Sequence, residues 1–416
     1  MPATATAIAP ASRIDPVDLP GAEPLPPRAA LPAPADYHPA LHGLRGLACV
    51  LIVLHHLAVL HPALLAPLLR SSLRPEIFFV VSGALYRRSM WPITGGAGAR
   101  AFAARLLRRL YPIYFLFLAL STVAHGAKAW ALAHGAGFRS GSVFTADPWV
   151  LPKNLLLLQD LPPPFAAPSL NFPSWAISDF VMVALAGAAL CALLRGGARV
   201  AAFAAAGLAA YAGVAAGPAQ PAFDLARCAA SFVTGLGVAT LAARWQAMAQ
   251  AYPRSRLAAW RGRPAAVGAA LAAAAMVALM QFDGLFPHPF LWMPPLAGAL
   301  TLALLVGPRG GVRRALEWAP LVRLGKLSYT IILAHALVLI AVEHLLARYA
   351  GVQCPVREAL CQPGLSLPAT VGVAVGVVGV TVALSAVVQR WLGPATGRSS
   401  QRPGASVVEV RSQAGA

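Results

Sequence analysis

Apolar runs of about twenty residues recur along almost the whole chain, and they constrain its fold more than any other feature. A helix rises about 1.5 Å per residue, so each run can cross a hydrocarbon layer roughly 30 Å thick. Inside that layer the backbone has no water to bond to, and a helix satisfies its own N–H and C=O groups. The sequence is therefore read as an all-α, polytopic membrane helix bundle of about ten transmembrane helices. The expected spans are 41–60, 70–88, 107–125, 174–194, 199–216, 224–243, 264–281, 289–307, 324–346 and 367–389. The second is the weakest, because Arg74 and Glu76 stand near its start. The segment 149–160, WVLPKNLLLLQD, is too short and too interrupted to span, and is expected to lie on the surface or re-enter.

Charge then orients the bundle. Charged residues make up only 11% of the chain and hydrophobic ones 58%, against about 25% charge in a soluble domain. A net charge of +19 would suggest nucleic acid in a soluble protein. With recurrent spans it belongs to loops instead, and no nucleic-acid partner is expected. The link after the second span carries Arg87, Arg88, Arg100, Arg105, Arg108 and Arg109, and the one after the fourth Arg195 and Arg199. The link after the sixth carries Arg244, Arg254, Arg256, Arg261 and Arg263, and that after the eighth Arg309, Arg313, Arg314, Arg323 and Lys326. Residues 217–223 and 281–289, on the other side, hold neither Lys nor Arg. By the positive-inside rule both termini are cytoplasmic.

The ends differ from the middle. Residues 1–38 are rich in Pro and Ala, lack an apolar signal-peptide core, and read as a disordered cytoplasmic tail. Residues 393–416 read as a second such tail, which leaves 39–392 as the transmembrane domain. Cys49, Cys191 and Cys228 fall in expected helices as small apolar fillers.

The first span holds the most telling pattern. In LHGLRGLACVLIVLHHL, His56 follows Arg45 by eleven residues. Eleven steps of about 100° return to nearly the same helix face, roughly 16 Å further along. An arginine at the membrane surface and an imidazole in the apolar layer thus share one stripe, and ionisable groups at such depth usually mark a pathway or a reaction site. His55 points about 100° away.

Further segments carry related signals: EIFFVVSGALYRRS at 76–89, ARLLRRLYPIY at 104–114, and LGKLSYTIILAHALVL at 324–339, with His335 six residues after Tyr329. A weaker one is Arg227, Phe232 and Gly235 in RCAASFVTG. In this order, the segments resemble the integral-membrane acyltransferase-3 family, which O-acylates polysaccharides, lipids and small metabolites. The first helix is similar to that family's arginine–ten residues–histidine signature, and the others to its FFVxSG segment, its basic run ending in Tyr-Pro, and its late Ser-Tyr helix with a histidine. There are departures. Where the family has Trp-Ser-Leu-Ser-x-Glu, this chain has WAISDF, so Phe180 holds the glutamate's place and Asp179 sits one residue early.

The resemblance implies an acyltransferase, an enzyme that moves an acyl group, with acetyl expected, from cytoplasmic acyl-CoA to a hydroxyl of a glycan or lipid-linked sugar. The implied catalytic residues are His56, Arg45 and His335. His56 would be the general base, since a desolvated neutral imidazole can accept the hydroxyl proton. Arg45 would hold a donor phosphate, for which a planar guanidinium is suited. Its plainer reading is a snorkelling anchor. Arg105, Arg108 and Arg109 would bind the donor, with the register among them open. A lone histidine such as His335 is otherwise more often structural. No metal and no permanently bound cofactor are expected. The expected partners are acyl-CoA, a glycan or lipid acceptor, and membrane lipids, and the expected location is a bacterial inner membrane. A transmembrane acyl-group carrier, or a secondary transporter without ester-forming activity, is the alternative. Cys354 and Cys361, in an expected outer loop, are read as a disulfide or as two free thiols.

Overall fold

The computed structural model describes residues 38–57, 73–134, 149–161, 167–217, 222–252, 262–286, 288–352 and 364–397. Residues 1–37 and 398–416, most of both expected tails, lie outside it, as do Cys354 and Cys361. The described regular structure is helical throughout. Among the described residues ten long helices follow one another: α1 (Pro39–Leu57), α2 (Arg74–Met90), α3 (Gly95–Ala133), α4 (Trp175–Leu193), α5 (Gly196–Ala215), α6 (Ala222–Ala251), α7 (Arg263–Gln281), α8 (Pro289–Val306), α9 (Ala319–Tyr349) and α10 (Leu367–Gly397). Short helices at Val150–Leu155 and Gly311–Leu316 lie between them.

Nine of the ten are long and apolar enough to cross a membrane. The exception is α2, the span expected to be weakest, with 17 residues. Its packing settles what length does not. Along α1 and α9, Gly46 meets Leu321 and Gly325, Cys49 meets Ser328 and His56 meets His335, so the two helices run parallel. Parallel neighbours in one chain need an odd number of crossings between them. Among the described long helices there are seven with α2 and six without it, so a crossing by α2 accounts for the parallel packing. The same holds for α2 and α6, where Glu76 meets Arg227, Gly83 meets Phe232 and Arg87 meets Thr240 in register. The charges that lower the hydropathy of α2 are turned into protein, Arg74 being 1% exposed and Glu76 0%.

Glycines allow these contacts. A Cβ on Gly325 would overlap the His42 carbonyl of α1, and one on Gly235 would overlap the Val80 carbonyl of α2. Small residues permit such close backbone approach in membranes. At the far end of the chain, Gln389 Nε2 donates to Thr330 Oγ1 at 2.9 Å. That bond places the C-terminal part of α10 beside the N-terminal half of α9, on the side where α1 begins.

Two local readings change. Helix α3 starts at Gly95, so Arg100, Arg105, Arg108 and Arg109 ride on helical turns rather than on a loop, and α10 continues to Gly397, past the expected boundary at 392. Arg199 also leaves the loop class. It is buried, and donates to the carbonyls of Trp91, Ile93, Cys191 and Leu194. A cation suits these carbonyls, which lie at or just beyond the C-terminal ends of α2 and α4.

The segment 149–161 re-enters. Tyr111 and Tyr114 hydroxyls donate to the carbonyls of Leu155 (2.7 Å) and Asn154 (2.6 Å), and Ser178 Oγ donates to that of Leu157 (2.5 Å). Asn154 is fully buried, its amide donating to the carbonyls of Val150 and Pro168. Irregular backbone is tolerated at such depth where protein groups satisfy it. Leu157, with φ 58°, reverses the chain after the short helix.

Candidate functional site

Three groups of polar side chains occupy the bundle. The first surrounds a cavity of about 150 Å³ near the start of α1 and α9. Arg45, Arg109 and Lys326 reach it from α1, α3 and α9, with Tyr86, Ser82 and Gln389 beside them. No carboxylate is among its lining residues. Arg45 is partly buried, its guanidinium carbon 4.6 Å from the centre of the Phe78 ring and its Nε without a hydrogen-bond partner. Tyr329 donates to the Leu110 carbonyl at 2.8 Å, which fixes the wall between α3 and α9. Two guanidinium groups and an ammonium converging on a cavity whose described lining holds no carboxylate favour an anionic ligand, and phosphate oxygens suit a guanidinium.

Arg105 and Arg108 do not line this cavity. Both are exposed, and Arg108 Nε donates to the carbonyl of Ala104 at 3.1 Å. Of the three arginines in the basic run, Arg109 alone faces the cavity. The register left open by sequence is a matter of face and height: Arg108 is turned about 100° from Arg109, whereas Arg105 shares its face but stands one turn, about 6 Å, nearer the helix start.

The second group is a pair of imidazoles. His56, the last residue but one of α1, stacks on His335 of α9, with ring centres 5.4 Å apart and planes 25° apart. Phe172 presses edge-on against both, at 4.7 Å from His56 and 5.3 Å from His335. His335 is fully buried, and its Nδ1 stands 3.2 Å from the Ile331 carbonyl. A carbonyl only accepts, so Nδ1 carries the hydrogen of that bond. In a neutral ring Nε2 is then a bare acceptor, and it has no partner. His55 is 5.2 Å from His56 and turned 61° to it.

The short helical turn Phe172–Ser174, just before α4, supplies Phe172. Asn171 anchors it, its amide donating to the Leu333 carbonyl at 3.0 Å and to Ser121 Oγ at 3.2 Å. Gln159 secures Ser174 from below through two further bonds. Nothing in the sequence of 149–174 shows a helix face or a motif, so Asn171 and Phe172 escape sequence reasoning.

The third group is ionic. Arg227 donates to Glu76 at 2.6 Å and to Asp224 at 2.7 Å, and its guanidinium sits 4.2 Å from the centre of Phe290. Asp179 is fully buried, and neither of its carboxyl oxygens has a hydrogen-bond partner. Burial pushes the Asp160 carboxyl up to about 7, and the charge of Asp224 adds to this. Glu343, near the end of α9, lies 3.8 Å from Lys128 of α3.

The structure thus brings His56 to His335 and Arg45 to Arg109, but leaves the two pairs apart. The cavity at Arg45 does not reach either histidine. Cys49 and Val53, both buried, fill α1 between them.

A family model described as an acyltransferase domain, that of acyltransferase family 3, matches residues 38–389. No curated protein and no solved structure matches the chain.

Proposed function

The chain belongs to the acyltransferase-3 family and is a multi-pass membrane acyltransferase, and on that premise we propose that it transfers an acyl group, acetyl by preference, from cytoplasmic acyl-CoA to a hydroxyl of a glycan or lipid-linked sugar. The observation that carries this reading is the layout of α1. One helix presents Arg45 to a cationic cavity and, eleven residues on, His56 to a second histidine.

Arg45, Arg109 and Lys326 hold the donor's phosphates. The thioester arm then lies along the seam of α1 and α9, over roughly 16 Å of helix. Cys49 and Val53 close that seam here, so donor binding has to part it. His56 takes the proton from the acceptor hydroxyl, and the alkoxide oxygen attacks the thioester carbonyl. When the C–S bond breaks, the sulfur leaves with a proton from the imidazolium, so no co-reactant is needed. His335, with Nδ1 tied to Ile331, offers its free Nε2 beside His56, and Phe172 fixes both rings. The arginine-rich links support a donor cavity that faces the cytoplasm, and the membrane of this reading is a bacterial inner membrane.

Mass spectrometry of surface glycans and lipids tests the reading in three strains: one with the wild type, one with His56→Ala and one without the protein. An added acyl mass is expected in the first alone, with the variant present in the membrane at normal level. Loss of a general base typically costs about 10²–10⁴-fold. An undiminished acyl mark with His56→Ala would make His56 structural and end this mechanism.

A further inference from the structure

Arg108 is left over by the donor cavity, and it heads a different feature. Four, eight and eleven residues further along the same stripe of α3 come Pro112, Leu116 and Ala119. They form one wall of a groove of about 550 Å³ on the outside of the bundle. Val388, Trp391 and Leu392 of α10 form the other wall, and every lining side chain is apolar. Both walls are open to the surroundings, Phe115 being 51% exposed and Trp391 79%.

Helix directions fix which end is which. α3 leads from Arg108 away from the arginine-rich face, whereas α10 returns toward it, so Arg108 and Trp391 mark the same end. Arg390, also exposed, adjoins Trp391. A groove with apolar walls, an indole at its mouth and two guanidinium groups around that mouth matches one molecule in parts. Alkyl chains fill apolar grooves, Trp settles at headgroup level, and basic residues at the membrane surface attract anionic headgroups.

We infer that this groove is a binding site for an anionic phospholipid of the arginine-rich leaflet. One acyl chain lies between α3 and α10, and the headgroup phosphate meets Arg108 and Arg390. The lipid braces the donor cavity from behind, because Leu110, Ile113 and Gln389 line that cavity from other faces of the same turns.

Native mass spectrometry of the full chain in detergent, titrated with dioleoyl phosphatidylglycerol or dioleoyl phosphatidylcholine, tests the site. The wild type should retain one lipid ahead of all others, with phosphatidylglycerol preferred roughly fivefold or more. Ala119→Trp and Val387→Trp, each made at an exposed position on the groove wall, should abolish that first site. The use of both walls guards against a folding failure in either variant. Arg108→Gln should keep the lipid but lose most of the headgroup preference. The site is overturned if both tryptophan variants retain the tight lipid. Equal retention of the two lipids by the wild type, or an unchanged preference in Arg108→Gln, overturns it as well.

Discussion

The two ends of the bundle both gather charge, but they balance it differently. Around Arg45 the lining holds Arg109 and Lys326 and no acid. Around Arg227 the guanidinium is met by Glu76 and Asp224, with Asp160 and Asp179 close by. Balanced charge inside protein serves the fold, because each ion removed leaves its partner stranded. Unbalanced charge in a cavity serves a ligand that brings the opposite sign. The contrast separates holding from binding, and it predicts different failures at the two ends.

The largest effect should fall on the balanced end. Arg227→Ala leaves Glu76 buried at 0% exposure without its cation, and breaking such a pair costs about 3–5 kcal/mol. Thermal unfolding in detergent should show a large drop in Tm, and Glu76→Gln added to it should recover part of the loss. An unchanged Tm would mean that the ion pair does not join α2 to α6.

A smaller effect of another kind is expected at the unbalanced end. Arg45→Ala should leave Tm near the wild-type value. It should weaken acyl-CoA binding about 10- to 100-fold, as loss of a charged hydrogen bond of roughly 1.5–3 kcal/mol implies. Arg45→Lys should restore only part, since it keeps the charge without the planar fork. Direct titration with acyl-CoA checks this. Equal affinity in Arg45→Ala would make the residue a surface anchor, and the comparison between the ends would lose one side.

The same contrast explains what sequence could reveal. The α1 stripe was legible because Arg45 and His56 are related by helix periodicity alone. The spans were legible because lipid demands length and apolarity of each segment separately. The acid–arginine cluster was not, because Glu76, Asp179 and Arg227 lie on three helices, and 151 positions separate the first from the last. Its parts surfaced only as blemishes: Glu76 weakened a span, Asp179 spoiled a motif, and Arg227 stood in the faintest segment. Asn171 and Phe172 left no trace, since the stretch before α4 has no period. Tertiary contacts alone show that Phe172 holds both histidines and that Arg109, not Arg105 or Arg108, enters the cavity.

Asp160 provides the finest test of the balanced end, through pH. Burial and the charge of Asp224 oppose its ionisation and hold its carboxyl above the usual carboxylate range in the folded protein, whereas an unfolded aspartate titrates at about 3.9. Between these values the folded state binds more protons than the unfolded one, so stability falls as pH rises. The contribution is fully present below about pH 4 and is lost as pH rises through the raised folded-state value. Tm of the wild type should therefore drop between pH 5 and pH 8 by more than that of Asp160→Asn, which carries no titrating group there. The amide has nearly the shape of the carboxyl, so the fold should survive the change. Parallel pH profiles for the two proteins would show that Asp160 is ionised in both states, and that its burial does not set the pH dependence of the fold.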